Sequence, residues 1–140
     1  MTYLLDTTML SESQRDNANA GVRRWLEEQN PSALYTSVLC IGEIWRGVTT
    51  MPGGRRRDAL RAWIQSDVHG MFGDRILALT RDIAARWGEM VGRFELDGRR
   101  PPTIDSLIAA TALVHNLTVV TRNTRDFERC GVPVLNPWTT

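Results

Sequence analysis

Lysine is missing altogether from the 140 residues, and all 17 basic side chains are arginine. Without lysine the chain holds no P-loop, no Schiff-base enzyme and no phospho-receiver site built on that residue. Cysteine is almost as scarce. Cys40 and Cys130 stand far apart in no CxxC or Cys/His pattern, which excludes a structural zinc site and a disulfide scaffold and leaves two buried, reduced thiols as the expectation. No apolar run approaches the roughly 20 residues of a spanning helix. The opening Met1-Thr2-Tyr3 has no basic region and soon meets Asp6, so a signal peptide is not expected and a cytoplasmic location is. Excess charge is lacking too: 17 bases against 16 acids give +1, far from an electrostatic nucleic-acid coat protein. The remaining composition, 42% hydrophobic and 24% charged, is that of an ordinary globular chain, and its length favours a single domain over 1–140.

Apolar runs alternate with helical patterns. Tyr3-Leu4-Leu5 reads as a strand covered on both faces and stopped by Asp6, followed by a short helical turn over Thr7–Ser13. A helix is expected from about Ala20 to Gln29, then a strand at Leu34-Tyr35-Thr36. The next helix, Val38 to Val48, has Ile41, Ile44, Trp45 and Val48 on one face. Met51-Pro52-Gly53-Gly54 breaks the chain before a helix from Arg55 to about Val68, and Ile76-Leu77-Ala78-Leu79 reads as a third strand. Thr80 caps a helix that Asp97-Gly98 ends, and Thr103 opens another that runs to Val114 with Asn116 as its stop. Leu117–Thr121 is a β-branched strand, Arg122–Phe127 a polar loop, and Val132–Leu135 a last strand. Strands separated by helices imply a three-layer α/β/α domain with a mostly parallel central sheet. Function in such sheets lies beyond the carboxyl ends of the strands.

Four acids fall where that rule points. Each also has a purely structural explanation: Asp6 as a helix cap, Asp105 as a complement to a helix dipole, Asp126 as an Asx turn, and Glu43 as a solvated face opposite the apolar stripe. Topology favours the joint reading. Asp6 and Asp126 follow strands, and Asp105 opens a helix that must start at the same sheet edge to run back into the fourth strand. Leu39, Cys40 and Gly47 beside Glu43 are not an ordinary charged face. Clustered carboxylates raise one another's pKa unless a cation neutralises them, and an all-oxygen set suits Mg²⁺ or Mn²⁺. His69 and His115 sit in helix-end contexts and are expected to be structural.

Leu4-Leu5-Asp6-Thr7, Gly42-Glu43-Ile44 with Gly47, Asp105-Ser106-Leu107-Ile108-Ala109-Ala110-Thr111-Ala112 and Thr121-Arg122-Asn123-Thr124-Arg125-Asp126-Phe127 together resemble the PIN domain. Within it, the chain is similar to the VapC toxins of type II toxin-antitoxin (VapBC) systems, especially the FitB-like branch. The resemblance implies a Mg²⁺-dependent endoribonuclease with Asp6, Glu43, Asp105 and Asp126 as its acidic cluster, Asp6 and Asp105 first among the metal ligands, and Thr121 and Asn123 in support. It also implies a homodimer and a cognate VapB-type antitoxin that occupies the groove. Thr8 departs from the family pattern, where asparagine or serine is common, and is left outside the site. The expected reaction is in-line attack of activated water on the phosphodiester, leaving a 3′-hydroxyl and a 5′-phosphate.

The arginines gather at Arg55-Arg56-Arg57, at Arg99-Arg100 and at Arg122, Arg125 and Arg129. Arg99, Arg100, Arg122 and Arg125 border the acids and are candidate RNA phosphate contacts, since guanidinium forks bind phosphate and stack on bases. Arg46, one turn from Glu43, is a candidate internal ion-pair partner. Trp25, Trp45 and Trp63 are core candidates that can also cover a partner. Three rival readings stand beside the toxin: a PIN-fold RNA-processing nuclease with no antitoxin, a phospho-acceptor or phosphatase domain, and an inert interaction module. The missing lysine and the absence of an Asp-x-Asp near position 6 count against the second.

Overall fold

Residues 1–139 are described by the structure, a computed structural model. Five short parallel strands form one sheet: β1 (Tyr3–Leu5), β2 (Leu34–Ser37), β3 (Ile76–Leu77), β4 (Thr118–Val120) and β5 (Val134–Leu135), in the order β3-β2-β1-β4-β5. β1 is central because its last two residues are leucines that can be covered on both faces. Leu4 and Leu5 are fully buried, as are Val119 and Val120 beside them.

The helices are α1 (Thr7–Ser13), α2 (Ala20–Glu28), α3 (Val38–Thr50), α4 (Arg55–Ala62), α5 (Val68–Phe72), α6 (Arg81–Leu96), α7 (Thr103–His115) and α8 (Thr124–Glu128). Right-handed crossovers assign α1–α5 to one face of the sheet and α6–α8 to the other. Most of the packing follows that division, since α1 meets α2 and α3, α3 meets α4, α6 meets α7, and α7 meets α8, while α3 also reaches across to α7. Strand order reverses at β1, so connections leave β1 and β4 in opposite directions and open a crevice between their carboxyl ends.

Helix boundaries follow the expected chemistry. Thr80 accepts from the Ile83 amide, and α7 ends at Asn116 in the left-handed conformation (φ 57°). α7 is buried nearly all round, with Ile108, Ala109, Ala110 and Ala112 inaccessible to solvent, so the small residues of its body let it sit between neighbours. Cys40 and Cys130 are buried and free, as expected. Among the described residues no helix is long and apolar enough to cross a membrane.

Four local expectations are corrected. The stretch read as a polar loop, Arg122–Phe127, contains α8, a single turn whose Phe127 is fully buried. The third strand stops at Leu77 because its only partner is β2, whose pairing ends at Ser37. The last strand begins at Val134, two residues late, since its pairing with β4 starts at Val119–Val134. The helix from Arg55 passes through a π-helical turn over Trp63–Asp67 and goes on as α5 to Phe72.

Candidate metal centre

The register of β1 on β4 builds the floor of the crevice. Leu5 pairs with Val120, so the next residues, Asp6 and Thr121, lie side by side, and the Asp6 amide donates to the Val120 carbonyl at 3.2 Å. Both Asp6 oxygens are held. Oδ1 accepts from the Met9 amide (3.1 Å), capping α1, and from the Thr8 hydroxyl (2.6 Å); Oδ2 accepts from the Thr121 hydroxyl (2.5 Å). Each hydroxyl in turn accepts a backbone N–H from the strand-end loop, Arg122 to Thr8 (3.1 Å) and Asn123 to Thr121 (2.8 Å). Asp6 thus anchors the turn after β4 through two threonines, and the cap and the site are one arrangement. Thr8 belongs to it, contrary to expectation; its signal in the sequence was a hydroxyl two residues beyond a strand-end aspartate.

That anchoring sets Asn123, whose side-chain amide donates to Asp105 Oδ2 at 3.0 Å and to Asp126 Oδ2 at 2.9 Å. Asp105 stands in the first turn of α7, behind the stiff Pro101-Pro102 pair. Its depth is fixed by the neighbouring Ser106, which accepts from the Trp87 indole of α6 (2.8 Å) and donates to the Thr103 carbonyl (2.7 Å). Glu43 is half-buried on α3, a helix that also touches α7, and it accepts from the Thr7 hydroxyl. No ion pair joins it to Arg46: the ion pairs among the described residues are Arg15–Glu12 and Arg99–Asp97.

Asp105 feels the other three acids. Asp105 is pushed up to about 6 by burial and by the negative charges of Glu43, Asp6 and Asp126, with only the Asn123 amide acting the other way. Asp6 is raised by burial despite its hydroxyl and amide donors. Among the described residues no three acidic, cysteine or histidine side chains already converge as ligands. Amide and hydroxyl donors hold the carboxylates instead, with the Asn123 amide between Asp105 and Asp126. The donor chemistry fits a hard divalent cation: the candidate ligands are carboxylate oxygens, the negative charges around Asp105 call for positive charge, and the thiols are buried.

Two cavities flank the acids. On one side, Thr7 and Glu43 border a groove of ≈ 360 Å³ walled mainly by Ile44, Val48, Leu60 and Trp63, with Arg56 also lining it. On the other, Asp126 borders a cavity of ≈ 400 Å³ that Arg99 and Arg100 line. The four expected phosphate contacts therefore separate. Arg122 leaves this cavity and stacks over Trp138 (5.8 Å), Arg125 is exposed on α8, and Arg129 takes a place beside Arg99 and Arg100. Of the tryptophans, Trp25 is core, edge-on to Tyr3, Trp45 lies under Arg61, and Trp63 walls the groove.

The PIN domain family model matches residues 3–132. The plasmid stability protein StbB of Pseudomonas syringae pv. tomato is 37% identical over 96% of this chain and 97% of its own. Toxin FitB of Neisseria gonorrhoeae is 33% identical over 96% and 97%, and the VapC ribonuclease Y4jK of Sinorhizobium fredii 30% over 96% of each chain. The crystal structure of FitAcB from Neisseria gonorrhoeae superposes with a TM-score of 0.91 at 32% identity, covering 99% of this chain and all of that one. Sheet order, strand-end acids and these full-length matches agree that the chain belongs to the PIN-domain family, in the group that contains the VapC and FitB toxins.

Proposed function

We propose that this chain is a toxin that cuts RNA with a divalent cation held by Asp6, Glu43, Asp105 and Asp126. The observation that carries the reading is the gathering of three of these acids by one strand-end loop: the Thr121 hydroxyl holds Asp6 while the Asn123 side chain holds both Asp105 and Asp126. When bound, Mg²⁺ or Mn²⁺ lowers the pKa of water and offsets charge on the phosphodiester. Asp6 has one lone pair left on Oδ2 after its three hydrogen bonds, enough for a single, well-aimed ligand bond. Thr8 and Thr121 fix that aim, and Asn123 steadies Asp105 and Asp126, which would hold the cation with Asp6 and Glu43. Water is the nucleophile, and the products carry a 3′-hydroxyl and a 5′-phosphate.

A phospho-acceptor role does not suit Asp6, which is 3% exposed with both oxygens engaged. The apolar groove beside Glu43 suits the segment of a VapB-type antitoxin that would close the crevice, and the relatives that carry the names VapC and FitB support such a partner. Homodimerisation is part of the same proposal. RNA with Mg²⁺, RNA with EDTA and RNA with the Asp105→Asn variant make the test. Asp105 is preferable to Asp6 for it, since Asp6 also caps α1. Cleavage in the first reaction alone is expected, and equal cleavage in all three overturns the proposal.

A further inference from the structure

The cavity beside Asp126 has a use of its own. Three guanidinium groups, Arg99, Arg100 and Arg129, face it against one carboxylate, and Asp126 already accepts from Asn123. Arg100 and Arg129 make no ion pair among the described residues, while Arg99 meets Asp97 only at 4.0 Å in solvent. The rest of the wall is apolar: Phe94, Pro101 and Pro102. Arg99 lies over the Phe94 ring at 5.1 Å.

These walls are held in place before anything binds. α6 ends in a Schellman turn: Gly98 takes φ 72° and its N–H donates to the Glu95 carbonyl (3.0 Å), and the Arg99 N–H donates to the Phe94 carbonyl (2.8 Å). Pro101 and Pro102 then stiffen the return into α7, and Arg129 follows directly on α8. An aromatic ring and three cations carried on a fixed backbone around ≈ 400 Å³ of space match a nucleotide, whose base stacks and whose phosphate takes a guanidinium fork.

Resting on the nuclease reading, we propose that this cavity is the subsite for the nucleotide next to the scissile phosphate in single-stranded RNA. Arg99, which lies over the Phe94 ring in the free protein, swings off it to hold the phosphate with Arg129, and the ring face it leaves and the prolines take the base. A second cavity continues the path away from the acids along Arg86, Arg93 and Phe94. The strand would therefore leave the centre over α6, on the side away from the apolar groove.

The test is fluorescence anisotropy of the full chain with a short, mixed-sequence, fluorescein-labelled RNA in EDTA, where no cut can confuse the reading. Arg99→Gln with Arg129→Gln is expected to weaken binding roughly tenfold and to lower the slope of log Kd against log salt by about 0.7, the value for one phosphate contact on a single strand. Phe94→Leu, which leaves the charges in place, is expected to weaken it roughly fivefold through lost stacking. Arg23→Gln with Arg24→Gln, two exposed arginines on α2, serves as the control for net charge. Variants that match this control in affinity and slope overturn the subsite. So does a short polyglutamate peptide whose binding needs Arg99 and Arg129 while RNA binding does not. Wild-type chain that binds RNA through these residues but leaves it whole with Mg²⁺ refutes the nuclease and keeps the subsite. Wild-type chain that cuts RNA while the variants bind and cut equally well refutes the subsite alone.

Discussion

Replacing Asp105 by asparagine should stabilise the metal-free protein, and the structure gives the size. The ionised carboxylate is disfavoured by burial and by Glu43, Asp6 and Asp126, so its pKa stands at about 6 against an ordinary 3.8. Taken at full value, a shift of that size is about 3 kcal/mol at neutral pH. Asp105 is only half-buried, and solvent screening brings the expectation down to roughly 1 kcal/mol. The amide oxygen of asparagine can still accept from Asn123, so no hydrogen bond need be lost. A gain of that size raises the melting temperature of a domain this long by roughly 3–5 °C.

The pH dependence fixes the cause. Between 3.8 and about 6 the folded chain binds a proton at Asp105 that the unfolded chain does not, so the wild type loses stability relative to the variant as pH rises through this window. The gap is fully present above about 6 and closes toward 3.8, where both states are protonated. Melts followed by circular dichroism in EDTA, at pH values on either side of that window, read both features. Added Mg²⁺ should then invert the order, because a ligand that binds only the folded wild type raises its melting temperature. A variant that melts lower than wild type in EDTA above the window, or a gap that does not change with pH, refutes the account of Asp105 as a repelled carboxylate.

Two further outcomes follow from buried groups. Thr121→Val removes the hydroxyl between the Asn123 backbone N–H and Asp6, leaving the buried Asp6 oxygen short of a donor; a loss of roughly 1–3 kcal/mol by urea denaturation is expected, with recovery in Thr121→Ser, and equal stability of the valine variant would contradict the anchoring role. Burial pushes the Cys40 thiol up to about 12 and raises Cys130, so neither should react with a disulfide reagent at neutral pH in the folded chain, and both should react promptly in denaturant; fast labelling of the native protein would contradict the burial.

The parts of the site that could be read from the sequence are those whose signal is local. A run of apolar residues ending in aspartate marks β1 and Asp6, the β-branched run marks β4, and a threonine after two prolines marks the start of α7 two residues before Asp105. α8 escaped because one turn is too short to show a helical period, and its single buried side chain, Phe127, looks the same in a loop. Arg46 was a candidate partner for Glu43 by spacing alone, but spacing on a helix does not say that the Thr7 hydroxyl from another helix reaches the carboxylate. The arginines beside the acids looked equivalent in sequence. Space divided them, because Arg122 turns to Trp138 while the end of α8 brings Arg129 to the cavity.

By itself, then, the sequence determined the alternation of strands and helices, the parallel sheet that follows from it, and which acids end up at the carboxyl edge, since each of these rests on periodicity and chain order. Only the tertiary structure decided that Asp6 is at once cap and centre, that Thr8 and Thr121 tie it to the far strand's loop, and that Asn123 stands between Asp105 and Asp126. Those contacts join residues as far apart in the chain as Asp6 and Thr121 and depend on the one register that sets Leu5 beside Val120. Such pairing is a property of strands already assembled, and nothing in the local sequence encodes it. The absence of lysine also gains its meaning there: the arginines that take its place are the groups whose planar forks line the cavity beside the acids.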